Sequence, residues 1–358
     1  MDLYPRLLVN VDVIKQNLKL IKKKLGAMAI DLRPHVKTIH DPQLSDVLKD
    51  EGIEKICVSN ITMLQLFIDA GWRDICLAVP IPLNSIAYLE QLKSQVHDLS
   101  LTLYVDNQAQ LDVLKTVSSS FRLCIEVDAG QRRSGVDWKH QSELINMIDQ
   151  INNSQHEFDG LSSHFGFLYE CIDQEGIINE SGNAMMKILQ IKEHLDSHYG
   201  SPISISIGDT PSLLAMSYFD GITEIRAGNF LMNDLTIHQK GCCEIHQIAC
   251  ALEAVVVSKS DQDCRFVLHC GSVHLSKEKH LDDTIQFGQL CRIAADWGNS
   301  LLPNTFIADL YQEHAVVFTT PDVIKQINIG DHLGVLPVHS CLAMDAMVHK
   351  KQVHYITG

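Results

Sequence analysis

Long apolar segments are absent from this sequence of 358 residues. No run approaches the roughly 18 apolar residues that cross a bilayer as a helix, so we expect no membrane span. The first residues lack the pattern of a secretory signal peptide, and we expect none. Acidic residues outnumber basic ones, 44 to 29, and the formal charge of −15 argues against binding to nucleic acid or to an anionic membrane.

A framework of paired cysteines is also missing. The eleven cysteines are odd in number and scattered without regular spacing, which is typical of a protein kept in a reducing cytoplasm. The hydrophobic fraction of 46% and the charged fraction of 20% are ordinary for a globular protein, and the chain is long enough for two domains.

A strand–helix alternation fills residues 11–235. Eight short apolar runs predict strands, and amphipathic stretches lie between most of them; the runs are the one that ends at Lys37 and those at 55–58, 74–79, 101–105, 123–127, 160–163, 204–207 and 224–227. Eight βα units within about 200 residues are typical of a closed (β/α)8 barrel of the TIM type. An open doubly wound sheet is the alternative, but no G-x-G-x-x-G motif follows a strand.

The pattern changes after residue 235. The stretches 249–258, 265–269, 315–319 and 353–356 are mostly rich in strand formers and lack long helical patterns between them. Residues 236–358 are therefore predicted to form a second, mostly antiparallel β domain, which the strand-like first ten residues join.

The first predicted barrel strand ends in a basic stretch. Alternation along a strand places Arg33, His35 and Lys37 on one face. Each cation disfavours the charge on its neighbours, so crowding favours an uncharged amine at Lys37, the form that condenses with a carbonyl. A basic strand end that faces solvent is the alternative, and spacing alone leaves both interpretations open.

Two further strand ends carry polar residues where a barrel keeps its catalytic groups, at the carboxyl ends of its strands. Glu126 and Asp128 share a strand face, and Arg133 lies in the glycine-flanked loop beyond. His164 follows a later strand. A solvated charged turn and a structural histidine are the respective alternatives.

The last two barrel strands end in glycine-containing loops. Gly208 permits a tight turn, and Asp209 precedes a helix start at Thr210 that offers free amide groups. Gly228 and Asn229 supply a second backbone approach on the adjacent strand. These are the positions at which barrels bind phosphate, so we predict a phosphate cradle; an ordinary helix cap is the alternative.

An imidazole and a thiol lie two residues apart near the other end of the chain, at His339 and Cys341. On an extended segment both would point the same way and suit a soft divalent ion such as zinc. Chance spacing and a buried core cysteine are the alternatives.

Taken together, these segments resemble the D-serine dehydratase and D-threonine aldolase group of fold-type III pyridoxal-phosphate enzymes, which are relatives of alanine racemase. The resemblance covers nearly the whole chain. The matching motifs are R-P-H-V-K-T at 33–38, E-V-D-A-G-Q-R-R-S-G at 126–135, H-F-G at 164–166, I-G-D-T-P-S at 207–212, E-I-R-A-G-N at 224–229, Y-Q-E-H at 311–314 and P-V-H-S-C at 337–341.

The resemblance implies pyridoxal 5′-phosphate as cofactor. Lys37 takes the place of the imine-forming lysine, and Arg133 is expected near the cofactor's phenolic oxygen. Arg226 is expected near the pyridine nitrogen or the phosphate, and His164 falls where the family has H-x-G or Y-x-G.

The resemblance also implies a metal ion, zinc or another divalent ion such as Mn²⁺, on His339 and Cys341. The metal would coordinate the β-hydroxyl of an amino-acid substrate while Lys37 acts as base at Cα. Loss of the hydroxyl gives a keto acid and ammonia, whereas its deprotonation gives glycine and an aldehyde. In this family H-x-C tends to accompany dehydratases, so we predict a D-serine or D-threonine dehydratase type of lyase, in a homodimer with the active site at the interface.

Two segments depart from the family pattern. The family continues K-T-H-K from the lysine, whereas this chain has Lys37-Thr38-Ile39-His40. Residues 267–274 differ from the commoner D-x-G-x-K pattern, in the domain that closes the site in the resembled dimers.

Two other functions stay open. An amino-acid racemase needs no metal but requires a second acid or base on the opposite face of the ring, for which His164 or Tyr311 are the candidates. A non-catalytic pyridoxal-phosphate carrier is the third hypothesis, although a carrier needs neither a second domain nor the pair His339 and Cys341.

Overall fold

The computed structural model describes residues 4–279, 286–294 and 297–357. Its strands, in chain order, are β1 (Arg6–Asn10), β2 (Asp31–Leu32), β3 (Lys55–Val58), β4 (Asp74–Pro80), β5 (Ser100–Val105), β6 (Arg122–Asp128), β7 (Val136–Asp137), β8 (Glu157–His164), β9 (Ile205–Gly208), β10 (Glu224–Ile225), β11 (Cys250–Ser260), β12 (Arg265–Leu268), β13 (Gly288–Arg292), β14 (Leu301–Leu310), β15 (Ala315–Phe318), β16 (His332–Pro337) and β17 (Val353–Ile356).

The helices follow most barrel strands and are shorter in the second half of the chain. They are α1 (Val11–Gly26), α2 (Pro42–Asp50), α3 (Ile61–Asp69), α4 (Ile86–Gln95), α5 (Gln108–Leu114), α6 (Gln141–Asn152), α7 (Gln174–Tyr199), α8 (Thr210–Ala215), α9 (Leu235–Gln239), α10 (Ser272–Leu275), α11 (Pro321–Ile324) and α12 (Ser340–His349). Short 3₁₀ helices lie at Val36–Thr38, Leu83–Ser85, Gly166–Glu170, Asn229–Leu231, Ile245–Gln247 and Gly298–Ser300.

Parallel strands form a closed barrel in the order β2-β10-β9-β8-β6-β5-β4-β3. The ring closes where His35 bridges Cys57 in parallel, and the Cys57 amide donates to the Pro34 carbonyl at 2.8 Å. The predicted (β/α)8 barrel is therefore confirmed. Its strands are apolar along most of their length because parallel strands in a barrel are covered on both faces.

The second sheet is antiparallel except for one pair. Its strands run in the order β12-β15-β14-β13-β16-β11-β1-β17, and β11 also pairs with β12, which closes a small barrel; β1 and β17 are parallel. The predicted mostly antiparallel β architecture is confirmed, and β1 joins this sheet through β11. The domain boundaries at residues 235 and 236 stay a prediction.

The sequence patterns did not predict β13, β14 or β16. Their sequences contain glycine, proline or asparagine, residues that weaken the strand pattern, and each strand is nevertheless held by antiparallel partners on both sides. Tertiary pairing outweighs local propensity here.

Helix α1 shows how the sequence attaches a barrel helix to its core. The Asn10 side chain accepts hydrogen bonds from the amides of Asp12 and Val13 at 3.0 and 3.2 Å, which caps the helix. Four apolar side chains then recur at helical spacing and are buried: Ile14, Leu18, Ile21 and Leu25.

Arg33 lies in a different layer from Lys37, so the expectation that they crowd one another is wrong. Strand β2 ends at Leu32 and the chain turns into a 3₁₀ helix, which breaks the alternation. The buried Arg33 guanidinium contacts Asp74 at 2.6 Å and Glu224 at 2.9 Å, in a polar pocket at the amino-terminal end of the barrel.

Glu224 receives several donors in this pocket. Lys55 lies 3.0 Å away, and the Ser206 hydroxyl donates at 2.7 Å. Burial alone would raise the pKa of Glu224, but Arg33 and Lys55 outweigh it and lower the pKa from 4.5 to about 2. The carboxylate therefore stabilises the folded chain above pH 4.5, and that stabilisation is lost as the pH falls towards 2.

Within the described ranges, no helix combines the length and the apolar character needed to cross a membrane. All eleven cysteines are free thiols, and most are buried.

We predict that Glu224→Gln lowers the free energy of unfolding at pH 7 by about 3 kcal/mol, because it leaves Arg33 buried with one carboxylate instead of two. The variant should also lose less stability than the wild type between pH 4.5 and 2. Urea denaturation followed by circular dichroism across this pH range measures both effects.

The control is Asp98→Asn, which removes an exposed partner of Arg73 and should leave the urea midpoint unchanged. A Glu224→Gln midpoint equal to that of the control would contradict the assigned contribution of the buried pair.

Candidate active site

A cavity of about 830 Å³ opens at the carboxyl ends of the barrel strands. Most of the residues predicted from the sequence line it, and they are Lys37, Arg133, His164, Gly208, Asp209, Thr210, Arg226, Gly228, Asn229, His339 and Cys341. Tyr311 is not among the described residues that line this cavity. Groups from both halves of the chain therefore meet in one space.

Lys37 lies in the 3₁₀ turn Val36–Thr38 that follows β2, and its side chain is exposed to the cavity. The Lys37 amide donates to Nδ1 of His35 at 3.4 Å. Burial, with Lys37 and Arg226 nearby, holds the pKa of His35 well below its ordinary value of 6.5, so this imidazole is neutral at pH 7. The turn thus presents one amine beside a neutral ring.

Arg133 and Glu126 lie on the loop side of the cavity. The Arg133 guanidinium is about half exposed and lies 3.9 Å from the buried Glu126 carboxylate. Burial raises the pKa of Glu126, although Ser134 and Arg133 oppose the effect. Within the described residues, the buried Oε2 atom of Glu126 has no hydrogen-bond partner. Because Glu126 lines the cavity, this oxygen can accept a hydrogen bond from a bound ligand.

His164 ends β8 and is oriented by the neighbouring strand. Its Nδ1–H donates to the Gly208 carbonyl at 2.5 Å, so Nε2 carries the lone pair. Burial, Arg133 and Lys37 lower the pKa of His164 to about 3. The ring is therefore neutral at pH 7, and its Nε2 can accept a hydrogen bond from a ligand.

Arg226 is buried, unlike Lys37 and Arg133, the other two cations named for this cavity. It donates to the Ser206 hydroxyl and, at 3.2 Å, to the Ser163 carbonyl, and its guanidinium lies 5.4 Å from the Tyr104 ring. An arginine keeps its charge at any working pH, so the cavity has a fixed positive charge at its base.

Glycines shape the predicted phosphate cradle. A Cβ atom at Gly208 would lie 2.6 Å from the Arg226 carbonyl oxygen, and one at Gly228 would lie 2.4 Å from the His35 carbonyl oxygen. Larger residues do not fit where these strand ends meet, which brings bare backbone to the cavity wall. This supports the cradle, whose phosphate stays a prediction.

Asp209 caps helix α8 instead of facing the cavity with a free carboxylate. It accepts hydrogen bonds from the Ser212 amide at 2.5 Å and the Ser212 hydroxyl at 2.6 Å. Burial raises the pKa of Asp209 to about 7 against those hydrogen bonds. A carboxyl group whose pKa is raised repels a neighbouring anion less than an ordinary aspartate does.

Asn229 uses its side chain to hold the second half of the chain. Its Nδ2 donates to Asp234 at 2.7 Å, and its Oδ1 accepts from the Ser340 hydroxyl at 2.7 Å. The Ser340 amide donates to the same Asp234 carboxylate at 3.1 Å. All three side chains are buried. This buried trio fixes the start of helix α12 to the segment that follows β10.

His339 and Cys341 flank Ser340, and the segment turns into α12, so it is not the extended strand that the spacing argument assumed. Nδ1 of His339 lies 2.7 Å from Glu278, so Nε2 is the ring atom that could bind a metal ion. The Cys341 thiol lies 3.3 Å from the Thr38 hydroxyl. This donor set suits a soft divalent ion, although no group of three His, Cys, Asp or Glu residues within the described ranges is arranged to hold one.

Tyr311 is 60% exposed and lies after β14, where its backbone carbonyl accepts from the Ser272 amide at 2.8 Å. Its catalytic role stays a prediction.

The sequence patterns did not predict two residues beside His339. They are Tyr169, whose ring stacks on His339 with centroids 6.3 Å apart, and Glu278. Glu278 precedes His339 by 61 residues, a separation that no motif spans.

Comparisons with known proteins follow the two halves of the structure. Residues 9–235 match the family model described as alanine racemase, N-terminal domain. Residues 249–350 match the model described as putative serine dehydratase domain.

Two curated relatives align along nearly the whole chain. The D-threo-3-hydroxyaspartate dehydratase of Delftia sp. (strain HT23) is 25% identical over 350 residues, which cover 94% of this chain and 90% of that protein. The D-serine dehydratase of Dictyostelium discoideum is 25% identical over 375 residues, with the same coverage of 94% and 90%.

Solved structures give the same result for the fold. The D-threo-3-hydroxyaspartate dehydratase from Delftia sp. HT23 superimposes with a TM-score of 0.87 and 25% identity, covering 96% of this chain and 92% of that one. A cysteine-to-alanine mutant of a D-threo-3-hydroxyaspartate dehydratase, in the metal-free form, gives a TM-score of 0.86 at 24% identity, with the same coverage.

The resemblance inferred from the motifs is confirmed by these matches. Since the first family model covers more than half of the chain and includes Lys37, Arg133, His164 and Arg226, the protein belongs to the alanine racemase N-terminal domain family, here joined to a putative serine dehydratase domain.

Proposed function

We propose that this protein is a pyridoxal-phosphate-dependent lyase that removes water from a β-hydroxy D-amino acid. The enamine that forms then takes up water and hydrolyses to a keto acid and ammonia. The single observation that carries the proposal is the meeting of Lys37 with His339 and Cys341 in one cavity, although these residues lie on separate halves of the chain. The two relatives, whose names specify dehydratases acting on hydroxylated D-amino acids, support it.

The residues present fit pyridoxal phosphate. The cavity of about 830 Å³ lies within the size range of cofactor sites and combines an amine with fixed cations and bare backbone. When bound, the cofactor supplies an aldehyde that reacts with amines and a conjugated ring that takes up the electron pair released at Cα. Arg226 would hold the ring or phosphate from below, and Arg133 would hold the phenolic oxygen.

The same cavity fits a divalent metal ion on one side. His339, oriented by Glu278, and Cys341 would hold zinc or another divalent ion such as Mn²⁺, which acts as a Lewis acid at the substrate hydroxyl. The solved relative in a metal-free form supports a metal in this family member. Substrate and water would complete the coordination.

Lys37 is the base in this proposal. Its exposed amine can reach a ligand above the turn, remove the proton from Cα and hold it while the β-hydroxyl departs. His164, neutral and fixed by Gly208, orients the ligand by accepting a hydrogen bond at Nε2. The buried Glu126 carboxyl keeps Arg133 near the cavity.

Retro-aldol cleavage is the second candidate, because the same lysine and metal ligands serve both reactions. Racemisation is supported less, since it would leave His339 and Cys341 without a role. A carrier would need neither of them.

We further propose a homodimer in which the active site lies at the interface. The exposed Tyr311 and its neighbours in the second sheet would then complete the cavity of the partner subunit. Co-expression of Lys37→Ala with Tyr311→Phe checks this: if each site draws on two chains, about half of the dimers are mixed and each keeps one intact site, so the co-expressed protein should regain up to about a quarter of wild-type activity. Mixed protein as inactive as either variant alone would contradict a shared site.

Lys37→Ala should leave the protein colourless after incubation with pyridoxal phosphate and reduce turnover at least about 100-fold, because both the amine and the base are lost. Visible absorbance that borohydride removes measures the first effect. Lys115→Ala, which changes an exposed lysine on the barrel surface, serves as the control and should behave as wild type. An unchanged spectrum in Lys37→Ala would refute the cofactor assignment.

Metal removal tests the reaction class. With D-serine, D-threonine or D-threo-3-hydroxyaspartate, the wild type should give keto acid and ammonia, and chelation or Cys341→Ala should stop turnover while the visible absorbance stays. Products are identified by chromatography and an ammonia assay.

Each alternative has a distinct outcome in that assay. An aldehyde and glycine from D-threonine would show the aldolase reaction. The L-enantiomer, formed with full activity after chelation, would show a racemase.

A further inference from the structure

The segment after the lysine departs from its family pattern, and its histidine has a defined position in the structure. His40 follows the Val36–Thr38 turn with a backbone φ of 45°, in the left-handed region. A residue with a side chain adopts this conformation at a cost and keeps it only when its surroundings hold it.

The His40 side chain contacts two different parts of the molecule. Its Nδ1–H donates to the Lys37 carbonyl at 2.8 Å, and its Nε2 lies 3.2 Å from a carboxylate oxygen of Asp345, to which it donates when both ring nitrogens carry a proton. The ring is mostly buried, with 19% of the side chain exposed. It therefore bridges the backbone of Lys37 and helix α12, where Asp345 lies one turn after Cys341.

A second contact joins the same two elements. The Thr38 hydroxyl lies 3.3 Å from the Cys341 thiol. Two contacts thus join the segment from Lys37 to His40 to α12, and α12 itself is fixed to the barrel by the buried trio of Asn229, Asp234 and Ser340.

We propose that His40 is a positioning residue that fixes the Lys37 turn against α12, so that the reactive amine and the ligands His339 and Cys341 keep a constant separation across the cavity. The proposal rests on the proposed function for its catalytic meaning. Its structural part, the immobilised turn, is independent of that function.

His40→Ala and Asp345→Ala test the bridge from both ends. Asp345 is 43% exposed and alanine favours a helix, so the second variant should fold even if the first does not. The control is His349→Ala, since His349 lies 3.3 Å from the same Asp345 oxygen but is 75% exposed.

The first readout is backbone hydrogen exchange of residues 36–40 in cofactor-free protein, measured by mass spectrometry. We expect exchange to accelerate between about tenfold and 100-fold in His40→Ala, the equilibrium effect of one hydrogen bond to a charged or constrained group, and less in Asp345→Ala. The double variant should match His40→Ala, because both changes break one bridge. Unchanged exchange, or additive effects, would overturn the proposal.

His40→Asn separates the side-chain bridge from backbone preference. Asparagine accepts the left-handed conformation, but its side chain is too short to span both partners. Exchange as fast as in His40→Ala supports the bridge, whereas wild-type exchange in His40→Asn shows that only the backbone matters and overturns it.

The second readout is the rate at which visible absorbance develops after pyridoxal phosphate is added, together with kcat and KM. His40→Ala should slow uptake and lower kcat about tenfold or more while KM changes little, because the amine is misplaced and the substrate contacts stay. Uptake and kcat equal to wild type would overturn the positioning role. A wild-type protein that takes up no cofactor would instead refute the proposed function, and the exchange result would still decide the bridge.

Discussion

The buried trio of Asn229, Asp234 and Ser340 is the constraint on which the rest of this molecule depends. A carboxylate without solvent contact is stable only when its acceptors are filled, and here they are filled from both halves of the chain. The last barrel strand and helix α12 therefore take one relative position. That position places His339 and Cys341 in the same cavity as Lys37, which follows β2, the first barrel strand.

Electrostatics divides the barrel interior into two layers. At the amino-terminal end, Arg33 is compensated by Asp74 and Glu224, so that layer is structural. At the carboxyl end, Arg226 and Lys37 lie among histidines that burial keeps neutral. The Arg226 guanidinium therefore keeps positive charge at the base of the cavity, in a protein whose formal charge is −15.

The sequence was sufficient for the barrel and for the mouths of its strands, because apolar runs and glycine-containing ends depend on local patterns. The sequence did not predict contacts between residues that lie far apart in the chain. Arg33 could not be separated from Lys37 by alternation, since the turn that breaks the alternation depends on contacts with β3 and β10. The side-chain role of Asn229, the helical turn after His339 and the partner Glu278 all depend on tertiary packing.

The contact between Thr38 and Cys341 joins residues 303 positions apart. During synthesis, the barrel strands emerge long before the helix that carries Cys341, and contacts of such high sequence separation form late. A nascent chain with a finished barrel would have its amine but not the groups opposite it. The site is therefore complete only after both halves of the chain have packed together.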